Sequence, residues 1–228
     1  MSTQSQHNDN PQLFMGRLVS RGLFTLFFMR CKVFGQENIP RKGPAYILAL
    51  NHASLIDPPL VWAFYPDPVY FLAKQELHDF PIFGWGCSRA GVIPIRRGAL
   101  DLRAIRTCIR YLTELHRNLA IFVEGTRSDD GQLGQGKLGC ALLSAKSRAA
   151  VVPAYVYGSY NVLPRSGIVP RFSNKLELHI GKPLELSFQS DRPSRPELEA
   201  ATGTILAAIE KLNPNCSPEP TVSGINPI

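Results

Sequence analysis

Five short apolar runs, at residues 45–50, 69–73, 92–95, 120–123 and 151–157, constrain this chain more than any other feature. Each is too short for an ordinary helix and rich enough in branched apolar residues to be a strand. Helix candidates at 13–32, 58–64, 102–118, 138–148 and 196–212 lie around and between them. The segment 102–118 is the clearest, because Leu102, Ile105, Ile109, Leu112 and Leu115 recur at helical spacing. A sixth, alternating stretch at 175–180 reads as an edge strand. Strands separated by helices predict a single α/β domain with a mainly parallel sheet flanked by helices. In such a fold, active residues stand in loops that leave the carboxyl ends of the strands.

At 228 residues and 25.2 kDa the chain can bury a full core, and one domain over 35–212 is expected. Residues 1–11 are polar and 213–228 are rich in Pro, Ser and Asn, so both read as loose tails. Residues 12–34 combine Leu, Phe and Met with Arg17, Arg21, Arg30 and Lys32. That mixture predicts an amphipathic helix in a membrane interface, with rings among acyl chains and cations near lipid phosphates. The same cations interrupt the apolar stretch before it reaches the ~20 residues of a membrane span. No secretory signal is expected, since a polar segment precedes the apolar one. Cys31, Cys87, Cys108, Cys140 and Cys216 are scattered without a C-x-x-C pair, which argues against a zinc site and a disulfide framework. Most of them read as small buried hydrophobes of a reducing compartment. A net charge of +7 and a pI near 9.3 favour anionic partners without choosing among nucleic acid, phosphorylated metabolites and an anionic bilayer.

The block Asn51-His52-Ala53-Ser54-Leu55-Ile56-Asp57 follows the first apolar run. On one continuous helix five positions turn through roughly 500°, leaving His52 and Asp57 about 140° apart. If His52 instead follows a strand and Asp57 opens the next helix, the loop between them can fold one onto the other. Pro58 marks that boundary and makes Asp57 a helix cap as well as an orienting carboxylate. A histidine base with an orienting aspartate and no evident protein nucleophile fits an enzyme that activates an alcohol of its substrate.

Other strand ends carry candidate anion ligands. Glu124-Gly125-Thr126-Arg127-Ser128 follows the run 120–123, where glycine allows a sharp turn and arginine suits a phosphate. Arg96 and Arg97 follow the run 92–95, and Lys74 follows 69–73. Three strand ends thus deliver a cation each. The segment Gly131 to Lys137 has the G-x4-G-K spacing of a phosphate loop, but Leu138 replaces the hydroxyl residue that would ligand magnesium. It also begins well after its strand ends, so it reads as a mobile loop leading to a helix. No G-x-S-x-G elbow is present, which argues against a serine hydrolase. Arg103, Arg106, Arg110 and Arg117 lie near one side of a helix without an aromatic platform, so a solvated face is expected and nucleic acid is not.

Taken in order, these blocks resemble the lysophosphatidic acid acyltransferase family, the 1-acyl-sn-glycerol-3-phosphate O-acyltransferases and their glycerolipid relatives. Asn51, His52 and Asp57 match its N-H-x4-D motif. Gly91 to Arg97 resembles the second motif, Glu124 to Ser128 the third, and Val152-Pro153 the fourth. The resemblance runs from about 36 to 158, and more loosely from 13 to 212. Val123 stands where the family commonly has proline, and Arg96 where an acidic residue is common. The resemblance implies a glycerol-3-phosphate acyltransferase-like α/β domain. Its implied reaction moves a fatty acyl group from acyl-CoA or acyl carrier protein to the sn-2 hydroxyl of lysophosphatidic acid, giving phosphatidic acid for phospholipid synthesis. His52 would be the general base, oriented by Asp57. Arg97, Glu124, Gly125, Thr126 and Arg127 would hold the glycerol phosphate; Lys74 is a further candidate substrate ligand on the strength of its strand-end position alone. No metal or bound cofactor is implied. The expected location is peripheral, on the cytosolic face of a membrane. Another lysolipid acceptor is the alternative, and a non-catalytic basic membrane-binding module a more distant one.

Overall fold

Ile47, Leu48, Ala49 and Leu50 are completely buried, and they belong alternately to two separate cores. A strand covered on both faces needs no polar side, which is why such segments read as continuous apolar runs. The computed structural model describes residues 21–22, 31–74, 92–95, 101–167, 169–171, 175–190 and 192–216. Along these, the strands are β1 (Cys31–Phe34), β2 (Ile47–Leu50), β3 (Tyr70–Lys74), β4 (Ile93–Ile95), β5 (Leu119–Phe122), β6 (Val151–Tyr157) and β7 (Leu176–Ile180). The helices are α1 (Asp57–Phe64), α2 (Leu102–Thr113), α3 (Gly139–Ser147), the short α4 (Ser159–Val162) and α5 (Arg195–Glu210).

The strands form one sheet in the order β1-β7-β6-β2-β5-β3-β4. Strands β2 to β6 run parallel to their neighbours among themselves, β7 runs antiparallel to β6, and β1 runs parallel to β7. One core takes Leu48, Leu50, Val152 and Ala154 from the sheet and Leu60 and Val61 from α1. The other takes Ile47, Ala49 and Val151 from the sheet, with Cys108 and Leu112 of α2, Cys140 and Leu143 of α3, and Ile205 and Ile209 of α5. The expected α/β domain with a mainly parallel, helix-flanked sheet is therefore what the chain forms.

Several boundaries differ from expectation for physical reasons. The strand expected at 175–180 is not an edge, because β1 lies outside β7. β1 itself occupies the end of the helix expected over 12–34. Cys31 and Val33 pack against the first core while Lys32 and Phe34 are exposed, a period of two and not of 3.6. Arg21 and Gly22 are helical, and the Arg21 guanidinium stands 5.7 Å from the Phe64 ring on α1. The rest of that expected helix, and the tail 1–11, lie outside the described residues.

The helix expected over 102–118 ends at Thr113. His116 then takes a left-handed φ of 49°, and the Asn118 side chain accepts the Tyr46 N–H at the entry to β2. The buried stripe is Ala104, Cys108 and Leu112, so Leu102 and Leu115 are exposed at its margin. Residues 213–216, expected in the loose tail, are tied back: the Asn213 side chain donates to Glu210, and Tyr157 donates to Asn215. Cys108 and Cys140 are buried, and burial pushes both thiols up to about 12. Cys31 is half-buried and Cys216 exposed; Cys87 lies outside the described residues. Among the described residues no helix is long and apolar enough to cross a membrane.

Candidate active site

After β2 the chain passes to α1 on one face of the sheet, and after its neighbour β5 to α3 on the other face. Open parallel sheets form a crevice at such a point, outside the carboxyl ends of the strands. The residue after β2 is Asn51, buried, with its side-chain oxygen accepting the Val156 N–H at 2.7 Å and its NH2 donating to the Val156 carbonyl at 3.1 Å. The next residue is His52.

His52 is held at four points. Its backbone N–H donates to Glu124 Oε1 at 2.8 Å, and its carbonyl accepts the Ser128 N–H at 2.8 Å. Its ring stacks on Phe122, with centroids 4.1 Å apart and planes inclined by 23°. Phe71 in turn stacks with Phe122, with centroids 6.1 Å apart. Finally, Nδ1 lies 2.9 Å from Asp57 Oδ2. An ionised carboxylate only accepts hydrogen bonds, so Nδ1 carries the proton and Nε2 presents a lone pair. The His52 side chain is 12% exposed, enough for a small reacting group to reach it.

Asp57 is fully buried, and its Oδ2 also accepts the N–H groups of Ala53 at 2.8 Å and Ser54 at 2.7 Å. This corrects the expectation of a cap. Helix α1 begins at Asp57 with Ile56 in the cap position and no side-chain capping bond. The carboxylate turns back onto the loop before the helix, because three donors converge there. Ser54 completes the loop by donating from its hydroxyl to the Leu163 carbonyl at 2.7 Å, while accepting the Ile56 N–H. Asp57 and Pro58 therefore open the helix as expected, but the orienting role of the carboxylate comes without the capping one.

Glu124, expected among the substrate ligands, has its carboxylate on the protein's own backbone: Oε1 takes the His52 N–H, and Oε2 takes the Gly134 N–H at 3.1 Å. It is 5% exposed, and burial raises its carboxyl above the ordinary value against the opposing pull of those two donors. Gly125 follows with φ +66°, a left-handed turn that glycine adopts without strain. Thr126 is exposed and Arg127 half-buried. The Arg127 carbonyl accepts from Arg165, which also pairs with Asp129 at 3.1 Å.

The structure thus brings His52, Asp57, Glu124, Gly125, Thr126 and Arg127 together at the carboxyl ends of β2 and β5. The backbone of Lys74 is the carboxyl end of β3, next to β4 on one side and β5 on the other. Arg97 lies outside the described residues, two positions beyond the end of β4. Sequence reasoning gave no role to Phe122, Ser54 or Gly134. Phe122 lies in the apolar run 120–123, Ser54 within the block 51–57, and Gly134 in the segment 131–137 that reads as a mobile loop. The glycine-rich spacing of 131–137 was the visible signal for the last.

A model of the family described as Acyltransferase matches residues 30–157, more than half of the chain. The chain belongs to the acyltransferase family. The matched span carries both His52 and the Glu124–Arg127 turn. The fold of this family member is similar to the crystal structure of the 1-acyl-sn-glycerophosphate (LPA) acyltransferase PlsC from Thermotoga maritima. The TM-score is 0.71 at 29% identity, covering 88% of this chain and 79% of that one. It is 33% identical over 140 residues to the chloroplastic 1-acyl-sn-glycerol-3-phosphate acyltransferase LPAT1 of Arabidopsis thaliana, covering 60% of this chain and 38% of the relative. It is 40% identical over 99 residues to the lyso-ornithine lipid O-acyltransferase of Pseudomonas aeruginosa, covering 42% and 37%. The match spans 38% to 54% of the length of several curated 1-acyl-sn-glycerol-3-phosphate acyltransferases.

Proposed function

We propose that the protein transfers a fatty acyl group from an acyl thioester to the sn-2 hydroxyl of 1-acyl-sn-glycerol-3-phosphate, giving phosphatidic acid. The observation that carries this reading is the His52–Asp57 pair: Nδ1 is fixed by a buried carboxylate at 2.9 Å, and Nε2 is left without a partner among the described residues. Nε2 takes the hydroxyl proton as that oxygen attacks the thioester carbonyl. The C–S bond then breaks, and the departing thiolate receives the proton from the imidazolium. Asp57 stabilises the cation that exists between those two transfers. General-base help of this kind contributes roughly 10²–10⁴-fold, and holding alcohol and thioester together contributes more.

Thr126, Arg127, Lys74 and Arg97 are the proposed ligands of the glycerol phosphate, the first two presented by the turn that follows β5. Glu124 acts one step back, by holding the His52 backbone against that turn. The donor is acyl-CoA or acyl carrier protein, with no metal or bound cofactor required. The basic, apolar segment before β1 supports a peripheral position on the cytosolic face of an anionic membrane, where the acceptor resides.

The similarity to a lyso-ornithine lipid acyltransferase over 99 residues favours a second reading, in which the acceptor is another lysolipid. One experiment separates the two. Purified protein is given labelled acyl thioester and a panel of lysolipids, and diacylated products are resolved by chromatography. Preferential labelling of phosphatidic acid supports the first reading. Labelling of an aminoacyl lysolipid in its place supports the second, and free fatty acid as the sole product overturns both.

A further inference from the structure

The segment from Gly131 to Lys137 is folded back onto the end of β5. The Gly134 N–H donates to Glu124 Oε2 at 3.1 Å, and the Lys137 N–H donates to the Val123 carbonyl at 2.8 Å. Together these bonds lay the Lys137 side chain along Gly125. A Cβ built on Gly125 would stand 3.0 Å from Lys137 Cδ, 3.2 Å from Cε and 3.6 Å from Nζ. The lysine stem therefore fills the space that a side chain at 125 would take, and its ammonium ends beside the turn that presents Thr126 and Arg127.

Among the described residues no ion pair accounts for this placement. Lys137 is exposed, and no described carboxylate lies within ion-pair distance of it. Glu124 is the nearest buried acid in sequence, and both its oxygens already accept backbone N–H groups. Helix α3 starts two residues later, at Gly139, with no side-chain cap. A cation held by its backbone beside Gly125, with no acid of its own among the described residues, is arranged to receive an anion from outside.

Resting on the acyl-transfer reading, we infer that Lys137 binds a phosphate group of a substrate at the Gly125–Arg127 turn. Lysine contributes a point charge on a movable stem, complementing the fixed fork of Arg127. The phosphate belongs either to the acyl acceptor or to the acyl donor, and the test has an arm for each.

Lys137→Met keeps the stem and removes the charge; Lys137→Arg restores it. Initial rates are measured with lysophosphatidate against a neutral monoacylglycerol, and with acyl-CoA against an acyl-N-acetylcysteamine thioester that lacks phosphate. The expected result is a KM about tenfold higher for one phosphate-bearing substrate in Lys137→Met, with kcat within about twofold. The phosphate-free counterpart is unaffected, and Lys137→Arg recovers most of the loss. A rise confined to lysophosphatidate assigns the acceptor phosphate; a rise confined to acyl-CoA assigns the donor phosphate. Unchanged KM for both, or an equal rise with phosphate-free substrates, overturns the inference while leaving acyl transfer intact. If the wild-type protein forms no ester at all, the acyl-transfer reading fails, and titration with inorganic phosphate still decides on Lys137. Binding weakened about tenfold in Lys137→Met supports it, and equal or absent binding overturns it.

Discussion

His52 lies 2.9 Å from Asp57, and His179 lies 2.8 Å from Glu177, so distance alone does not separate the two pairs. Their surroundings do. His179 and Glu177 are neighbours on one face of β7, both side chains 21% exposed, with the ring resting on Phe34 at 4.7 Å. Among the described residues no backbone N–H fixes the Glu177 carboxylate. Asp57 is completely buried and receives two backbone N–H groups besides the imidazole. His52 stands in the loop after β2 at the parallel strand ends, whereas His179 is part of a regular ladder between β1 and β6. A histidine and a carboxylate in contact become a candidate base only when the acid is immobilised and the other ring nitrogen faces a crevice.

The largest effect expected from breaking this comparison is His52→Ala, which lowers the rate of acyl-thioester consumption by about 10²–10⁴-fold. Its circular dichroism spectrum and melting temperature stay close to wild type. Turnover at the wild-type rate would remove His52 from the chemistry. Asp57→Asn follows, with kcat reduced on the order of 10²-fold because the imidazolium loses its counter-charge. Single-turnover kinetics read this directly, and a change in KM alone would contradict an orienting role.

Glu124→Gln comes third. One of the two backbone N–H groups loses its acceptor, at a cost of about 1–3 kcal/mol in denaturant unfolding. Glu124 also sharpens the pH behaviour. Burial raises its carboxyl above 4.5, helped slightly by Asp57 and opposed by the His52 and Gly134 N–H groups and by His52. The folded state then holds that proton more readily than the unfolded chain. Its contribution is most favourable below pH 4.5 and declines as pH rises through the folded-state value. Urea midpoints of wild type minus Glu124→Gln should fall with pH across that window; a rise would reverse the assignment. The smallest effect is that of His179→Ala, with activity within about twofold and stability changed by less than about 1 kcal/mol. A loss of activity comparable to that of His52→Ala would abolish the contrast between the pairs.

Much of this architecture is legible from residues alone. The strand at 151–157 is found over the whole span expected, because a seven-residue run with its first six residues buried, on both faces of the sheet, leaves little room for ambiguity. Asp57 was legible as the orienter of His52, since strand-then-helix is the arrangement that brings the two together. Its failure to cap was not, because the choice between helix N–H groups and loop N–H groups depends on a loop fold with no periodic signature. β1 was hidden for a related reason: Lys32, which points outward from a strand, also fits the cationic face of a helix. Glu124 was assigned to substrate by its motif, and only the tertiary fold shows that its carboxylate is shared between His52 and Gly134.

Asn51 has one more consequence. Its amide offers Val156 a donor and an acceptor, as another peptide unit would, so the β2–β6 pairing continues for one more rung through a side chain. The main chain is thereby released from the ladder at the point where His52 must leave it. Because its anchors sit on β5, on β6 and on the turn that follows β5, this loop has no private melting transition. Heat should extinguish activity at the temperature where the sheet itself comes apart, and not before.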